Sequence, residues 1–218
     1  MTFQVVVAIF CIVSYFLGSI PSAIWYGVKV FGVDIRTQGS GNAGATNTFR
    51  VFGKKAGTIV LILDAGKGFL ATYFAVLVSR FYELNPEEAI SLQILFGLLA
   101  IIGHLLPIFA DFRGGKGVAT LVGMVLCLNP LVALATTSVF LIVFLISHYV
   151  SLSAMLGAVA FPAILMSGYF GESTKTLIYF GIFVMFLVIY THRKNIVRIR
   201  EGKESKMYFI PKKKNSNS

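Results

Sequence analysis

A succession of apolar runs, parted by short polar loops, constrains this chain more than any other feature. The first, Val5 to Val28, is long enough for a helical membrane span, which needs roughly 20 mostly apolar residues. No basic residue precedes it and it outlasts the core of a signal peptide, so it reads as a retained span. Composition agrees: 56% of the 218 residues are hydrophobic and 13% charged, with a mean hydropathy of +0.81. A soluble domain averages about 45–50% apolar and about 25% charged. The sequence therefore predicts an all-α integral membrane protein, a single domain over 1–218 without internal repeats.

Seven segments are expected to span, at about 4–28, 57–79, 91–110, 117–128, 131–146, 153–170 and 176–190. Only Asn129-Pro130 separates the fourth from the fifth, which leaves one kinked span or a tight helical hairpin. Charge decides between them. With a hairpin, the loops 29–56, 111–116 and 147–152 and the basic tail 191–218 share one side. They hold 5, 2, 0 and 9 of the 19 Lys and Arg residues. The opposite loops hold only Arg80 and Lys175, and merging the two segments would send the tail there, against the positive-inside rule. The expected topology has the N-terminus outside, the C-terminus cytoplasmic, and short polar or re-entrant loops on the cytoplasmic face.

This distribution removes nucleic acid as the reason for the net charge of +10. The tail, ending in Lys212-Lys213-Lys214, reads as a solvated anchor drawn to anionic lipid heads. Glu83, Glu87 and Glu88 lie in the outer 80–90 loop, where Pro86 begins a local turn. Cys11 and Cys127 sit in apolar stretches as packing residues, and no Cys/His spacing of a zinc site occurs.

Two glycine-rich, charged stretches interrupt the apolar pattern: Ser40 to Arg50 and Gly114-Gly115-Lys116-Gly117. Glycine lets backbone N–H groups approach a ligand closely, while Arg and Lys supply fixed positive charge, so such loops suit phosphate oxygens. The second stretch directly precedes the fourth span, which aims its N–H groups and the positive helix end at one place. Gly117 stands where a nucleotide-binding loop needs Ser or Thr, which argues against an ATPase. In the first stretch, the Gly41 backbone and the side chains of Ser40, Asn42, Thr46 and Asn47 suit hydroxyls, and Arg50 can fork onto phosphate. The plain alternative is a capped turn between helices.

Asp64 and Lys67, three residues apart in the second span, share a helix face. An ionisable residue in a span faces a partner or a wet cavity. The two either neutralise each other or orient Lys116 or Arg50 from behind. His104, one turn before Pro107, reads as a hydrogen-bonded structural residue. His192 is the stronger candidate, at the membrane boundary with Asn195 and Arg198 at i+3 and i+6, able to bind a phosphate or accept a proton. Ser151 is either a phosphate donor or the cap of the sixth helix.

The stretches SGNAGATNTFR, GHLLPIFADFRGGKGVAT, YVSLS and HRKNIVRIREGKE resemble the three cytoplasmic motifs and the C-terminal segment of the PlsY family, bacterial acyl-phosphate:glycerol-3-phosphate acyltransferases. The resemblance covers nearly the whole chain in order and spacing, leaving out the tail beyond Met207. It implies a seven-span enzyme of the bacterial plasma (inner) membrane. That enzyme would move an acyl group from acyl phosphate to the 1-hydroxyl of glycerol 3-phosphate, giving lysophosphatidic acid for phospholipid synthesis. The same resemblance implies no cofactor, acyl-CoA, carrier protein or metal, and no obligate protein partner is evident. By this resemblance Ser40 and Arg50 contact glycerol phosphate, Lys116 is the central phosphate ligand, and Ser151 or Ser153, His192 and Asn195 contact the acyl phosphate. Asp64, Lys67, His104 and Arg198 stand as supporting residues.

The rival reading is a transporter of an organic phosphate. Transporters place polar groups at mid-membrane depth, often in repeated halves, whereas here they gather at one face. The His-x4-Asp pattern of soluble-substrate acyltransferases is absent: Phe109, Ser153 and Val197 stand at that position after His104, His148 and His192.

Overall fold

The computed structural model describes residues 1–208, so the expected lysine anchor at Lys212–Lys214 lies outside the described residues. Among the described residues every regular element is helical. The helices are α1 (Phe3–Ser19), α2 (Ser22–Phe31), α3 (Ala45–Phe81), α4 (Pro86–Leu105), α5 (Val118–Leu128), α6 (Pro130–Ser147), α7 (Val150–Met166), α8 (Lys175–Thr191) and α9 (Arg193–Arg200). Short 3-10 turns at Ile35–Thr37 and Ile108–Ala110 lie just ahead of the two glycine-rich stretches.

Local chemistry sets the helix ends. Pro21 has no N–H and forces the preceding residue out of the helical region. Ile20 is extended, with ψ 111°, and the expected 4–28 span is two helices bent by 41°. Pro86 is the first residue of α4, not the start of a separate turn, because Asn85 and Glu88 form a reciprocal capping box around it. Asn129 accepts the N–H groups of Leu131 and Val132, so Asn129-Pro130 ends α5 and starts α6 at once. The Gly53 backbone, at φ 85°, breaks α3 and sets Ala45–Phe52 at an angle to the long apolar part.

By length and composition Ala45–Phe81, Pro86–Ala110 and Pro130–Ser147 can cross a membrane, and each bent pair, α1–α2 and α8–α9, adds one more. Val118–Leu128 and Val150–Met166, expected as full spans, are shorter apolar helices of 11 and 17 residues. Little of α6 is buried, and Leu134, Leu145 and Ile146 stand exposed as a lipid-facing surface would.

The centre is built by close backbone approach. Lipid gives helices no hydrophobic reason to associate, so contact relies on small residues. A Cβ on Gly68 of α3 would overlap the Thr120 carbonyl of α5, and one on Gly123 would overlap the Ala65 carbonyl in return. Gly18 of α1 and Gly103 of α4 meet Ala100 and Tyr15 in the same reciprocal way. A larger core of Met124, Phe161, Phe180 and Val184 joins α5, α7 and α8.

Gly68→Ala is expected to destabilise the protein by about 1–3 kcal/mol through overpacking, read as a lower thermal midpoint in detergent. Gly66→Ala, where a Cβ meets nothing within 4 Å, should keep or slightly raise the midpoint, because alanine favours the helix.

Candidate active site

The first glycine-rich loop is locked before it can meet a ligand. Arg36 holds Asp34 through Nε at 3.0 Å and Nη2 at 2.8 Å, and its Nη1 donates to the Ala110 carbonyl at 3.1 Å. That clip fastens the loop ahead of α3 to the loop ahead of α5. Asn47, fully buried, donates Nδ2 to the carbonyls of Gln38 and Ile35 and accepts the Ser40 N–H at 2.9 Å. Its amide is thus committed to holding the loop, and the hydroxyl-binding use expected for it is not what the geometry displays. Ser40, Gly41 and Arg50 are exposed, with Asn42 half-buried beside them.

Lys116 stands at the start of α5, where Gly117 turns the chain at φ 78°, a left-handed conformation that favours glycine. Its ammonium donates to Asn195 Oδ1. Asn195 Nδ2 donates to Glu204 Oε1 at 2.6 Å, Ser151 Oγ donates to the same oxygen at 2.7 Å, and Arg198 Nε donates to Oε2 at 2.7 Å. A lysine can only donate and a carboxylate can only accept, so the Asn195 amide is oriented from both sides. The Met207 N–H on the His148 carbonyl, 2.9 Å away, keeps the segment after α9 against the start of α7.

Burial lowers the Lys116 ammonium to a pKa of about 8; Glu204 opposes the shift, and Arg198 and Arg50 add to it. The lysine stays charged at neutral pH. His192 goes to about 4, first through burial and then through Lys116, against the pull of the Val188 carbonyl and Glu204. Its Nδ1 lies 2.8 Å from that carbonyl, so Nδ1 carries the hydrogen and Nε2 keeps a free lone pair. Burial alone would raise the Glu204 carboxyl, but the hydrogen bonds from Arg198, Asn195 and Ser151 outweigh it and hold it below its ordinary value. Three cations against one carboxylate leave the cluster positive.

Other expected site residues fall elsewhere. Ser153 spends its hydroxyl on the Tyr149 carbonyl one turn back, at 2.8 Å, so of the two serines only Ser151 reaches the cluster. The Gly115 N–H, expected to face a ligand, donates instead to the His104 carbonyl at 3.1 Å, while Gly114 packs against that carbonyl. Asp64, Lys67 and His104 form a separate buried group behind this turn. Glu204 was not anticipated; its only signal is an acidic residue among the bases that follow α8. Among the described residues no three His, Cys, Asp or Glu side chains could hold a metal ion.

Among the described residues the chain is all-helical with exposed apolar faces, and Lys116, Arg50 and Arg198 gather around one carboxylate, which defines a helical membrane protein with a cationic site. Residues 8–202 match the family model described as glycerol-3-phosphate acyltransferase. The chain is 44% identical over 209 residues to a glycerol-3-phosphate acyltransferase of Salinibacter ruber, covering 90% of each. It is 45% identical over 199 residues to one of Listeria monocytogenes, covering 91% of this chain and 96% of that one. The crystal structure of PlsY, an integral membrane glycerol 3-phosphate acyltransferase, matches in its glycerol 3-phosphate form with a TM-score of 0.79 and 35% identity, covering 93% and 96% of the two chains. Its lysophosphatidic acid form matches with a TM-score of 0.76 and 33% identity, covering 93% and 95%. The chain belongs to the glycerol-3-phosphate acyltransferase family.

A carboxyl whose folded pKa is depressed stabilises the protein above its ordinary value of 4.5, and that stability is lost as pH falls through the folded value. Thermal midpoints taken from about pH 7 to about pH 3 should therefore drop for the native protein. Glu204→Gln should start lower and fall less; parallel curves would show that Glu204 contributes no such stability.

Proposed function

We propose that this chain, a glycerol-3-phosphate acyltransferase of a bacterial membrane, takes its acyl group from an acyl phosphate. The acceptor is the 1-hydroxyl of glycerol 3-phosphate and the products are lysophosphatidic acid and inorganic phosphate. The observation that carries this reading is the Lys116–Asn195–Glu204–Ser151 chain of hydrogen bonds, which draws three separate polar segments to one cationic point.

An acyl phosphate is a mixed anhydride, so its carbonyl is already activated and phosphate is a good leaving group. The hydroxyl oxygen bonds to the carbonyl carbon, the bond from that carbon to the phosphate oxygen breaks, and the proton must go to a base. Two phosphate-bearing reactants repel each other, so the protein's task is positioning and charge neutralisation. In this reading Lys116 and Arg50 offset that repulsion, Ser40 and Arg50 hold glycerol phosphate, and Ser151, Asn195 and His192 hold the acyl phosphate. A histidine at about pKa 4 is a weak base near neutrality, whereas a phosphate monoester titrates near a pKa of about 6. That comparison favours a substrate phosphate oxygen as proton acceptor, with His192 Nε2 orienting a hydroxyl.

We further read seven membrane passages, N-terminus outside and the site on the cytoplasmic face. α5 begins beside Lys116 and α6 ends beside Ser151, both in one cluster. A continuous helix over those 30 residues would part its ends by about 45 Å, so a reversal at Asn129-Pro130 is required. The charge bias of the loops supports the orientation, and the acyl chain can stay in the bilayer during reaction.

Purified protein given acyl phosphate and glycerol 3-phosphate should release inorganic phosphate and form lysophosphatidate; a transporter would release none. Lys116→Ala should lose nearly all turnover while remaining folded, with a thermal midpoint somewhat lowered by the unpaired Asn195 amide oxygen. Because Lys116 must be charged, kcat/KM should fall as pH rises through about 8, and Lys116→Arg should move that limb upward. Full activity in Lys116→Ala would remove the assigned role.

A further inference from the structure

The charges buried deepest in the helices touch no substrate in the scheme above. Asp64 and Lys67 of α3 and His104 of α4 are at most 7% exposed. Lys67 Nζ lies 2.7 Å from Asp64 Oδ1 and donates to the Ile20 carbonyl, at the α1–α2 break, at 2.6 Å. His104 Nδ1 faces the same carboxylate oxygen at 3.7 Å. A lone ion pair would already neutralise itself. The third member is what ties it to the site.

On its other side the His104 ring presses on the Gly114-Gly115 turn. A Cβ on Gly115 would overlap His104 Nε2 and stand 3.0 Å from the Ala43 carbonyl of the first loop. A Cβ on Gly114 would overlap the His104 carbonyl, which also accepts the Gly115 N–H at 3.1 Å. His104, both glycines, Ala43 and Ile20 line one cavity of about 10 Å³, so little slack exists there. Two glycines carry no side chains to hold their own conformation. What they rest on is His104, and the next residue is Lys116.

We propose that His104 is a positioning residue for Lys116: braced from within the helices by Asp64 and Lys67, its ring seats the Gly114-Gly115 turn and fixes where the Lys116 ammonium stands. This rests on the role given to Lys116 under the proposed function. Without the ring, the turn gains room, and the flexible four-carbon stem of Lys116 no longer meets Asn195 Oδ1 in one geometry. A misplacement of about 1 Å can cost about 100-fold in rate.

The test uses full-length protein in detergent, with phosphate release, kcat/KM against pH and the thermal midpoint measured for each variant. His104→Ala should lower kcat per folded molecule by about tenfold or more. Its alkaline limb should move up by about half a pH unit, because a relaxed turn lets water reach Lys116. The charged and titratable groups facing Lys116 are Arg50, Arg198, Glu204 and His192, and those facing His104 are Asp64 and Lys67. None of them is altered in the variant. A purely stabilising role would lower the folded fraction and leave the limb in place, and that result overturns the proposal.

Should His104→Ala fail to fold, His104→Gln and His104→Asn decide. Glutamine places an amide nitrogen near the Nε2 position, whereas asparagine keeps the Asp64 side and lacks the reach to Gly115. Glutamine faster than asparagine by about threefold or more supports the proposal; equal rates overturn it. If Lys116→Ala is inactive while His104→Ala keeps native turnover and limb, the positioning role alone fails. If Lys116→Ala is fully active, the reading of Lys116 fails with it.

Discussion

A lysine that can only donate and a glutamate that can only accept face each other across one asparagine, and the polar half of the structure depends on that exchange. Lys116 comes from the loop before α5, Asn195 from α9, Glu204 from the segment after it and Ser151 from α7. Few hydrogen bonds within this fold join so many parts of the chain. Each partner is at least half-buried, so leaving any one unpaired costs the desolvation of a polar or charged group. The reversal between α5 and α6 follows from the same constraint, since both outer ends of that helix pair must return to the cluster. Independently, the clip of Arg36 onto the Ala110 carbonyl keeps the first loop within reach of the second.

The apolar half obeys a different rule. Helices in lipid gain nothing by hiding apolar side chains from tails that are equally apolar. Closeness must come from backbone contact, and Gly68 with Gly123, and Gly18 with Gly103, supply it in two reciprocal pairs. These crossings hold α3 against α5 and α1 against α4. The first of them sets α5 beside α3, and Lys116 just before α5 feels the charge of Arg50 from α3. Packing by small residues and the placement of the cations are one problem solved twice.

The apolar runs were readable as helices because a span-length stretch of Val, Ile, Leu and Phe admits little else. Their breaks were less so. Averaging over 4–28 hides Pro21, and α5 is short because Asn129-Pro130 is a cap for the next helix as well as a turn. Charge bias favours a hairpin over a kinked span because it weighs whole loops and needs no exact helix end. Among the site residues, Lys116, His192, Asn195 and Ser151 stood out by type and spacing, and the structure brings Lys116, Asn195 and Ser151 into one hydrogen-bonded chain. Asn47 and Ser153 look equally polar in sequence, yet their bonds go to nearby backbone, a local competition that residue type does not reveal. Glu204 was hidden for the opposite reason: among basic neighbours an acidic residue reads as a solvated partner, and only folding shows its carboxylate turned inward.

One dielectric environment sorts two titratable groups into different tasks. Burial disfavours charge on both Lys116 and His192, yet their starting points differ by about 4 pH units. The lysine, lowered to about 8, remains a cation at neutral pH, while the histidine, lowered to about 4, is neutral. Lys116 also pushes His192 in this direction, since the ammonium beside the imidazole opposes a second positive charge. The Val188 carbonyl then fixes which imidazole nitrogen carries hydrogen. The result is a cation and a neutral hydrogen-bond acceptor near each other, which the proposed function assigns to anions and to a hydroxyl. If the acyl donor is the acyl phosphate proposed above, that division suits the reaction, because the remaining demand is to hold two repelling reactants in line. A stronger base at the position of His192 would be protonated near neutrality, and would trade its hydrogen-bond acceptor for another cation.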